Sequence, residues 1–138
     1  MKGEYQHTLD AKGRLFIPAK LREELGDSFV VTKGLDECLF LYPQEAWDKL
    51  EENIRQLPMS KSRSLQRFFL SSAADVTIDK QGRIVVPPVL RTYAGLDHDV
   101  TIIGVSERAE IWNRQKWEDY NNALDAGSIA QAMEDLGF

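Results

Sequence analysis

The sequence is poor in the side chains that enzymes and metal sites use most. It contains one cysteine, Cys38, and two histidines, His7 and His98, among 138 residues. A single cysteine cannot form an internal disulfide, and the apolar residues around Cys38 predict a buried thiol in a reducing compartment. The histidines and the cysteine show no metal-ligand spacing, so we expect no metal site.

Long apolar runs and a secretory signal are missing as well. No apolar stretch approaches the ~20 residues that a membrane helix needs, and residues 1–5 lack the apolar segment of a signal peptide. No nucleophile stands beside a recognisable base, and the glycines form no phosphate-cradling loop. We therefore expect a cytoplasmic protein without enzymatic activity, and with no cofactor, small-molecule substrate or membrane partner.

Basic residues are outnumbered by acidic ones, but the two are unevenly distributed. The formal net charge is −5, from 17 Lys and Arg against 22 Asp and Glu. Residues 1–22 nevertheless carry five basic and two acidic side chains, and residues 53–74 carry four basic and no acidic ones. Basic faces on an acidic body are compatible with phosphate binding, whereas the net charge alone decides nothing.

What the chain does contain is an internal repeat. The segment LDAKGRLFIPAKLR at residues 9–22 returns 69 residues later as IDKQGRIVVPPVLR at residues 78–91, with six of 14 positions identical. Most of the other positions exchange one apolar residue for another. Each copy is a structural unit that the same physics must explain twice.

Both copies predict the same order of elements: strand, turn, strand, helix, strand, strand, helix. In the first copy we expect strands at residues 3–9, 14–17, 29–31 and 39–42, and helices at 19–25 and 43–57. In the second copy we expect strands at 76–78, 84–86, 100–103 and 110–112, and helices at 88–94 and 114–124. Apolar runs and alternations predict the strands, and three of the four helices begin at a proline or directly after one.

Details outside the repeated segment complete the prediction. A one-residue gap after Gly26 and Gly95 aligns Gly34 with Gly104. A basic helix is expected at about residues 62–70, with Leu65, Phe68 and Phe69 on its apolar face. The helix at 114–124 is expected to turn Trp117, Tyr120 and Leu124 inward. Ser128 to Gln131 resembles a capping box that opens a C-terminal helix with Ile129, Met133 and Leu136 on one face.

These elements predict an α+β fold with a mainly β core and peripheral helices. A lone copy of ~45 residues buries four short strands poorly, so we expect the copies to pair about a pseudo-twofold axis and close one small β-barrel. The predicted organisation is a first module at 5–47, connecting helices at 48–75, a second module at 76–119 and a C-terminal helical segment at 120–138.

The repeated turn allows two interpretations. Hairpin and helix-start chemistry alone explains the Asp, Gly and Pro of each copy. It does not explain the arginines, because neither a turn nor a core requires Arg14 or Arg83 after the glycine, or Arg22 or Arg91 eight residues later. Weak surface ion pairs with the turn aspartates and contacts with phosphates or bases both remain open.

Together, the Asp-x-x-Gly-Arg turn, the apolar strand and the following Pro-x-x-Leu-Arg resemble the SpoVT-AbrB, or MazE-like swapped-hairpin, DNA-binding module. Two such modules in a chain of this length resemble the MraZ family of transcriptional regulators. Residues 3–10, residues 34–39 and the pair Pro43 and Trp47 also fit that family. The resemblance extends from about residue 3 to the end of the chain, and it implies an AbrB-like barrel made of two exchanged hairpins.

This resemblance also implies a function and a set of contact residues. The function is sequence-specific binding of double-stranded DNA at repeated promoter sites of a division and cell-wall gene cluster. The protein would be nucleoid-associated and a homo-oligomer, in the form of a ring. The residues implied for DNA binding are Asp10, Lys12, Arg14 and Arg22 in the first copy and Asp79, Lys80, Arg83 and Arg91 in the second.

Arg14 and Arg83 are the candidates for base edges or phosphates, because a guanidinium can donate two parallel hydrogen bonds. Lys12 and Lys80 would act as point charges towards phosphate. The wider module carries a basic residue three positions before the Asp, whereas this chain has His7 and Val76 there. The equivalence of the two faces is therefore open.

A protein-binding module is the competing class, as in an antitoxin that holds its toxin through a disordered tail. The acidic C-terminal segment is patterned as a helix, which fits such a tail poorly. The basic stretch from Arg55 to Arg67 is compatible with a solvated helix face, a subunit contact or a DNA contact.

Overall fold

The two halves of the chain fold into the same order of elements, and the computed structural model describes all 138 residues. The first half comprises β1 (Glu4–Thr8), β2 (Arg14–Phe16), α1 (Ala19–Leu25), β3 (Ser28–Lys33), β4 (Leu39–Pro43) and α2 (Gln44–Gln56). Helix α3 (Met59–Leu65) follows and continues as a π-helical turn over Gln66–Leu70. The second half comprises β5 (Ala74–Thr77), β6 (Arg83–Val85), α4 (Pro88–Tyr93), β7 (Asp99–Val105), β8 (Arg108–Asn113), α5 (Arg114–Asn122) and α6 (Ala126–Glu134).

Every strand and helix predicted within the repeats is present, so the α+β class with a mainly β core is confirmed. Prolines precede or open four of the helices, where their missing N–H leaves no hydrogen bond unmade. None of the helices combines the length and the apolar character that a bilayer crossing requires.

The strands of the two halves are interleaved. The main sheet has the order β1-β7-β8-β4-β3-β5, with all neighbours antiparallel. Strand β1 of the first half thus pairs with β7 of the second, β5 of the second pairs with β3 of the first, and β4 pairs with β8 at the centre. Strands β2 and β6 form a separate two-stranded sheet. This reciprocal pairing is what a pseudo-twofold relation requires, whereas a closed barrel stays a prediction.

The register of the exchanged strands corrects the predicted alignment of the two halves. Thr8 lies opposite Asp99, and Thr77 lies opposite Ser28. The two threonines are 69 positions apart, but Ser28 and Asp99 are 71 apart, so two extra residues precede β7 rather than one. Gly34 and Gly104 are therefore not equivalent. The Gly34 N–H donates within its own hairpin to Cys38, whereas the Gly104 N–H donates to Gly3 of the exchanged N-terminal segment.

The larger apolar core is shared equally by the two halves. It contains 18 buried residues, nine from each half. At its base Leu15 of β2 pairs with Ile84 of β6, and both side chains are fully buried. Because the two halves fill one core, neither half retains a complete core without the other.

The smaller core lies on the outer face of the sheet and belongs mainly to the first half. Six of its eight residues precede position 70, and they pack beneath α2, α3 and the π-helical turn. Cys38 is one of them, which confirms the predicted buried thiol. Burial raises the pKa of the Cys38 thiol, so this side chain stays protonated and unreactive.

The helices outside the repeated units depart from the predictions in detail. The connecting helix begins at Met59, three residues earlier than expected, because Pro58 supplies its first accepting carbonyl. The predicted cap at Ser128 is wrong. Helix α6 begins after Asp125, whose side chain accepts hydrogen bonds from the backbone N–H groups of Gly127 and Ser128.

The last helices are also more exposed than predicted. Leu124 does not turn into the core, since 46% of its surface is accessible. Tyr120 is 42% accessible, but its ring lies 5.2 Å from that of the buried Trp112, and the half-buried Trp117 lies 5.3 Å from the same ring. Helix α6 exposes Ile129 and Met133, and Leu136 is exposed two residues beyond the end of the helix; these three residues are those of the predicted apolar stripe. No residue of α6 is buried, since it packs against neither core.

The shared core makes a direct prediction about stability. We expect Ile84→Ala to lower the free energy of unfolding by about 2–5 kcal/mol, because it leaves a cavity where the halves meet. Val85→Ala is the matched control on the same strand: Val85 is 56% exposed, so its truncation should cost about 0.5 kcal/mol or less. Urea unfolding of both variants measures the difference. Equal losses for the two would contradict the assignment of this strand pair to the core.

Candidate nucleic-acid interface

The two repeated turns have nearly identical geometry, and an aspartate organises each of them. Oδ1 of Asp10 accepts hydrogen bonds from the backbone N–H groups of Lys12 and Arg14, at 3.0 and 2.8 Å. Oδ1 of Asp79 accepts the equivalent bonds from Gln81 and Arg83, at 2.8 and 2.9 Å. Such side-chain-to-backbone bonds explain why Asp opens both turns.

A glycine closes each turn because the backbone there takes a conformation that other residues rarely adopt. Gly13 has φ +78° and Gly82 has φ +79°. Both glycines are buried, and each N–H donates to the carbonyl of the turn aspartate at 3.0 Å. The prediction of two glycine-closed hairpins is confirmed at the level of the individual hydrogen bonds.

The aspartates also hold the arginines that follow the glycines. Nε of Arg14 donates to Oδ2 of Asp10 at 2.6 Å, and Nε of Arg83 donates to Oδ2 of Asp79 at 3.0 Å. All four side chains are about a third exposed. Neither arginine donates a hydrogen bond within the chain from its terminal nitrogens, so the outer edge of each guanidinium is free for an acceptor outside the chain.

The turn hydrogen bonds keep both carboxylates ionised. The backbone hydrogen bond from Arg14 is the main cause that lowers the pKa of Asp10, and the side chain of Arg14 lowers it further. The backbone hydrogen bonds from Arg83 and Gln81 and the side chain of Arg83 lower the pKa of Asp79 in the same way. Each hairpin therefore presents an arginine oriented by a carboxylate that is charged at neutral pH.

Pairing of β2 with β6 places the two hairpins side by side. Phe16 lies opposite Arg83, and Arg14 lies opposite Val85. Two backbone bonds extend the pairing, from Ile17 N–H to the Gly82 carbonyl at 2.9 Å and from Val86 N–H to the Gly13 carbonyl at 2.8 Å. The structure thus brings together residues that are 69 positions apart in sequence.

The later arginines reach the turns as well, but each reaches the turn of the opposite half. The guanidinium of Arg22 lies against Gly82, and that of Arg91 lies against Gly13. Lys12 and Lys80 are exposed on the tips of their turns and form no ion pair within the chain. All eight predicted contact residues therefore belong to one surface made by the two turns and their supports.

The slot three positions before each aspartate differs between the halves. His7 packs its ring 5.2 Å from that of Phe16, and burial together with the charge of Arg114 lowers its pKa. Val76 is buried in the shared core.

Phe16 is a residue of this surface that the sequence did not predict. The sequence offered only one indication of it, an aromatic residue where the second repeat has Val85. No three His, Cys, Asp or Glu side chains gather as a metal site would require.

The ionised aspartates predict how stability depends on pH. Folding lowers both pKa values, so the carboxylates stabilise the fold above their unfolded pKa of about 3.9, and this contribution is lost as the pH falls through the folded pKa. In urea titrations, the Asp10→Asn, Asp79→Asn double variant should be less stable than the unsubstituted protein near neutral pH. The gap should narrow as the pH falls below about 3.9 and close as it passes the folded pKa values, and a gap that stays constant would contradict this account.

The comparison with known proteins agrees with the repeat. The sequence model of one family, described as "MraZ protein, putative antitoxin-like", matches the chain twice, over residues 1–68 and 69–138. The chain is 57% identical over 136 residues to the "Transcriptional regulator MraZ" of Heliobacterium modesticaldum, covering 97% of this chain and 94% of that protein. It is 55% identical over 139 residues to the "Transcriptional regulator MraZ" of Syntrophomonas wolfei. It is 51% identical over 138 residues to the protein of the same name from Clostridium tetani. Both alignments cover 98% of this chain and 97% of the relative. The chain belongs to the MraZ family and carries the family's domain twice in tandem.

Proposed function

We propose that this chain is a sequence-specific, DNA-binding transcriptional regulator that reads repeated promoter sites through its two Asp-x-x-x-Arg hairpins. The observation that carries the proposal is the pair of arginines, Arg14 and Arg83, on adjoining hairpins with their outer edges free. Its similar relatives are named as transcriptional regulators rather than as enzymes. We infer a cytoplasmic, nucleoid-associated protein that acts on its own division and cell-wall gene cluster.

The geometry suggests a role for each side chain. Arg14 and Arg83 present two parallel donors, which suit guanine in the major groove or a phosphate. Asp10 and Asp79 act by orienting these arginines, since their oxygens are already engaged within the turns. Lys12 and Lys80 supply point charges towards the phosphate backbone, and Arg22 and Arg91 add positive charge behind the turns.

The element that contacts DNA would be a β-ribbon rather than a recognition helix. We infer that the modules at 5–47 and 76–119 act as one body, with their exchanged hairpins closing a swapped-hairpin barrel. The reciprocal pairing of β1 with β7 and of β5 with β3 supports this arrangement. The turns of the two modules then form a single ribbon end, of a width that a major groove admits.

One chain offers few basic contacts, and such contacts weaken steeply with salt. Several chains bound to consecutive repeats would gain affinity through effective concentration. We therefore propose a homo-oligomer, in the form of a ring. The exposed apolar stripe of α6 supports a contact with a second copy, and the acidic segment at 118–135 is complementary in charge to the exposed Lys61, Arg63 and Arg67.

A toxin-binding role has less support from the fold. The antitoxin considered above would use a disordered tail, whereas residues 126–134 form a capped helix. The family description mentions likeness to antitoxins. A protein partner that co-purifies with this chain and binds it without DNA would support the toxin-binding role.

The hairpin proposal is tested by DNA-binding titrations in a salt series. The probe is duplex DNA from upstream of the gene encoding this chain, with scrambled duplex as competitor. Arg14→Ala and Arg83→Ala should each lose about 1–3 kcal/mol of discrimination, with the fold intact. Lys49→Ala is the matched control, because Lys49 lies beside the β7–β8 turn, at the end of the sheet away from the hairpins. Unchanged discrimination in both arginine variants would refute hairpin readout.

The oligomer proposal is tested by light scattering coupled to size exclusion. Replacing Ile129 and Leu136 together by Glu should reduce the assembly to smaller species, because the stripe on α6 can no longer be buried. Neither side chain touches a core of the chain itself, so the secondary structure measured by circular dichroism should not change. Gln131→Glu, on the opposite side of the same helix, should leave the assembly size unaltered. A double variant that assembles normally would rule out this surface.

A further inference from the structure

Two arginine side chains, one from α1 and one from α4, extend from their own half of the chain to the other half. Arg22 belongs to the first half, but an ideal Cβ built on Gly82 would lie 2.8 Å from its Nη1 and 3.1 Å from its Cζ. Arg91 belongs to the second half, and an ideal Cβ on Gly13 would lie 2.7 Å from its Cζ and 3.0 Å from its Nε. Each guanidinium therefore fills the space that only a glycine leaves open in the opposite turn.

These contacts are made by packing rather than by a hydrogen bond at Nε. The Nε atoms of Arg22 and Arg91 are both buried and have no hydrogen-bond partner in the chain. Leaving a buried donor unpaired is unfavourable, so the flat guanidinium is held there by its contact with the turn. A planar group suits such a position, whereas the compact and strongly hydrated ammonium of lysine does not.

Backbone hydrogen bonds also link each turn to the opposite half of the chain. Gly82 accepts a hydrogen bond from the N–H of Ile17, and Gly13 accepts one from the N–H of Val86. Each turn thus receives both a strand and an arginine from the half to which it does not belong. The aspartate within each turn supplies the remaining support locally.

We propose that Arg22 and Arg91 are positioning residues that act across the pseudo-twofold axis. Arg22 sets the geometry of the second hairpin, Asp79 to Arg83, and Arg91 sets that of the first, Asp10 to Arg14. The part of this inference that concerns DNA rests on the proposed function. The structural part, which is the crossed support of the turns, does not.

The two supports differ in strength. Phe16 lies under the second turn, where an ideal Cβ on Gly82 would be 2.9 Å from its Cε2, and Cζ of Arg22 stands 5.2 Å from its ring centroid. Arg22 is thus held between an aromatic ring and a glycine. Arg91 has the exposed Val85 at the corresponding position and stacks on no ring. The second hairpin therefore receives the more extensive support from the opposite half of the chain.

The first test uses the free, full-length protein and needs no DNA. Amide hydrogen exchange is measured for Arg22→Met, for Arg91→Met and for Lys20→Met, an exposed control on α1. Arg22→Met should speed exchange at Gly82 and Arg83 but not at Gly13 and Arg14. Arg91→Met should do the reverse, and Lys20→Met should change neither turn. Equal effects on both turns, effects on the turn of the same half, or no effect would each overturn the proposal.

The second test is a set of double-mutant cycles in DNA binding, with the same promoter duplex and scrambled competitor. Arg22→Met should cost at least about threefold less affinity in the Arg83→Ala background than in the unsubstituted protein. Its cost should be unchanged in the Arg14→Ala background. Arg91→Met should show the opposite pairing. The same cost in every background is the result expected of independent DNA contacts, and it would overturn the positioning role.

The two tests separate failure of the inference from failure of the proposed function. If Arg14→Ala and Arg83→Ala leave binding unchanged, hairpin readout fails, and the exchange pattern alone decides whether the arginines support the opposite turns. If a Met variant does not fold, the corresponding Lys variant replaces it under the same criteria. Lysine keeps the charge and the aliphatic stem but loses the planar group, so the same crossed pattern is expected.

Discussion

The fold depends on one constraint: neither half of the chain can cover its own strands. Nine buried residues from each half fill a common core, and the outermost strand of each half completes the sheet of the other. A unit of this size buries too little apolar surface alone to offset its loss of conformational entropy. Exchange of β1 and β5 solves this problem for both halves at once. The placement of the hairpins and their arginines follows from that exchange.

The same constraint explains how an acidic protein presents a basic surface. The turns meet only because β2 and β6 pair at the end of the shared core, and this pairing gathers arginines and lysines from distant parts of the sequence. The turn carboxylates offset this positive charge only on the inner side of the arginines. One oxygen of each carboxylate accepts backbone hydrogen bonds, and the other accepts a hydrogen bond from the Nε of an arginine. What faces outward is the remaining edge of each guanidinium.

Local features of the sequence carried most of the prediction. The repeated Asp and Gly predicted both hairpins, and the prolines predicted where helices begin. Contacts that depend on the partner half were not predictable: no local signal shows that Arg22 lies against Gly82 or that two extra residues precede β7. The same limit explains the wrong expectation for Leu124, since periodicity shows which face is apolar but not whether another surface covers it. The cap at Asp125 was missed because Ser128 offers an equally good local pattern.

Covalent linkage of the two modules has a consequence for the kind of target that this chain can distinguish. A dimer of identical subunits must present identical halves, and its binding sites are correspondingly palindromic. Here one turn is AKG and the other KQG, and one is backed by an aromatic ring where the other has a valine. The surface made by the two turns is therefore asymmetric, and its two ends differ along the axis of a DNA duplex. Under the proposed function, a DNA site that contacts both turns has polarity, and consecutive sites bound by identical chains are direct repeats in a single orientation.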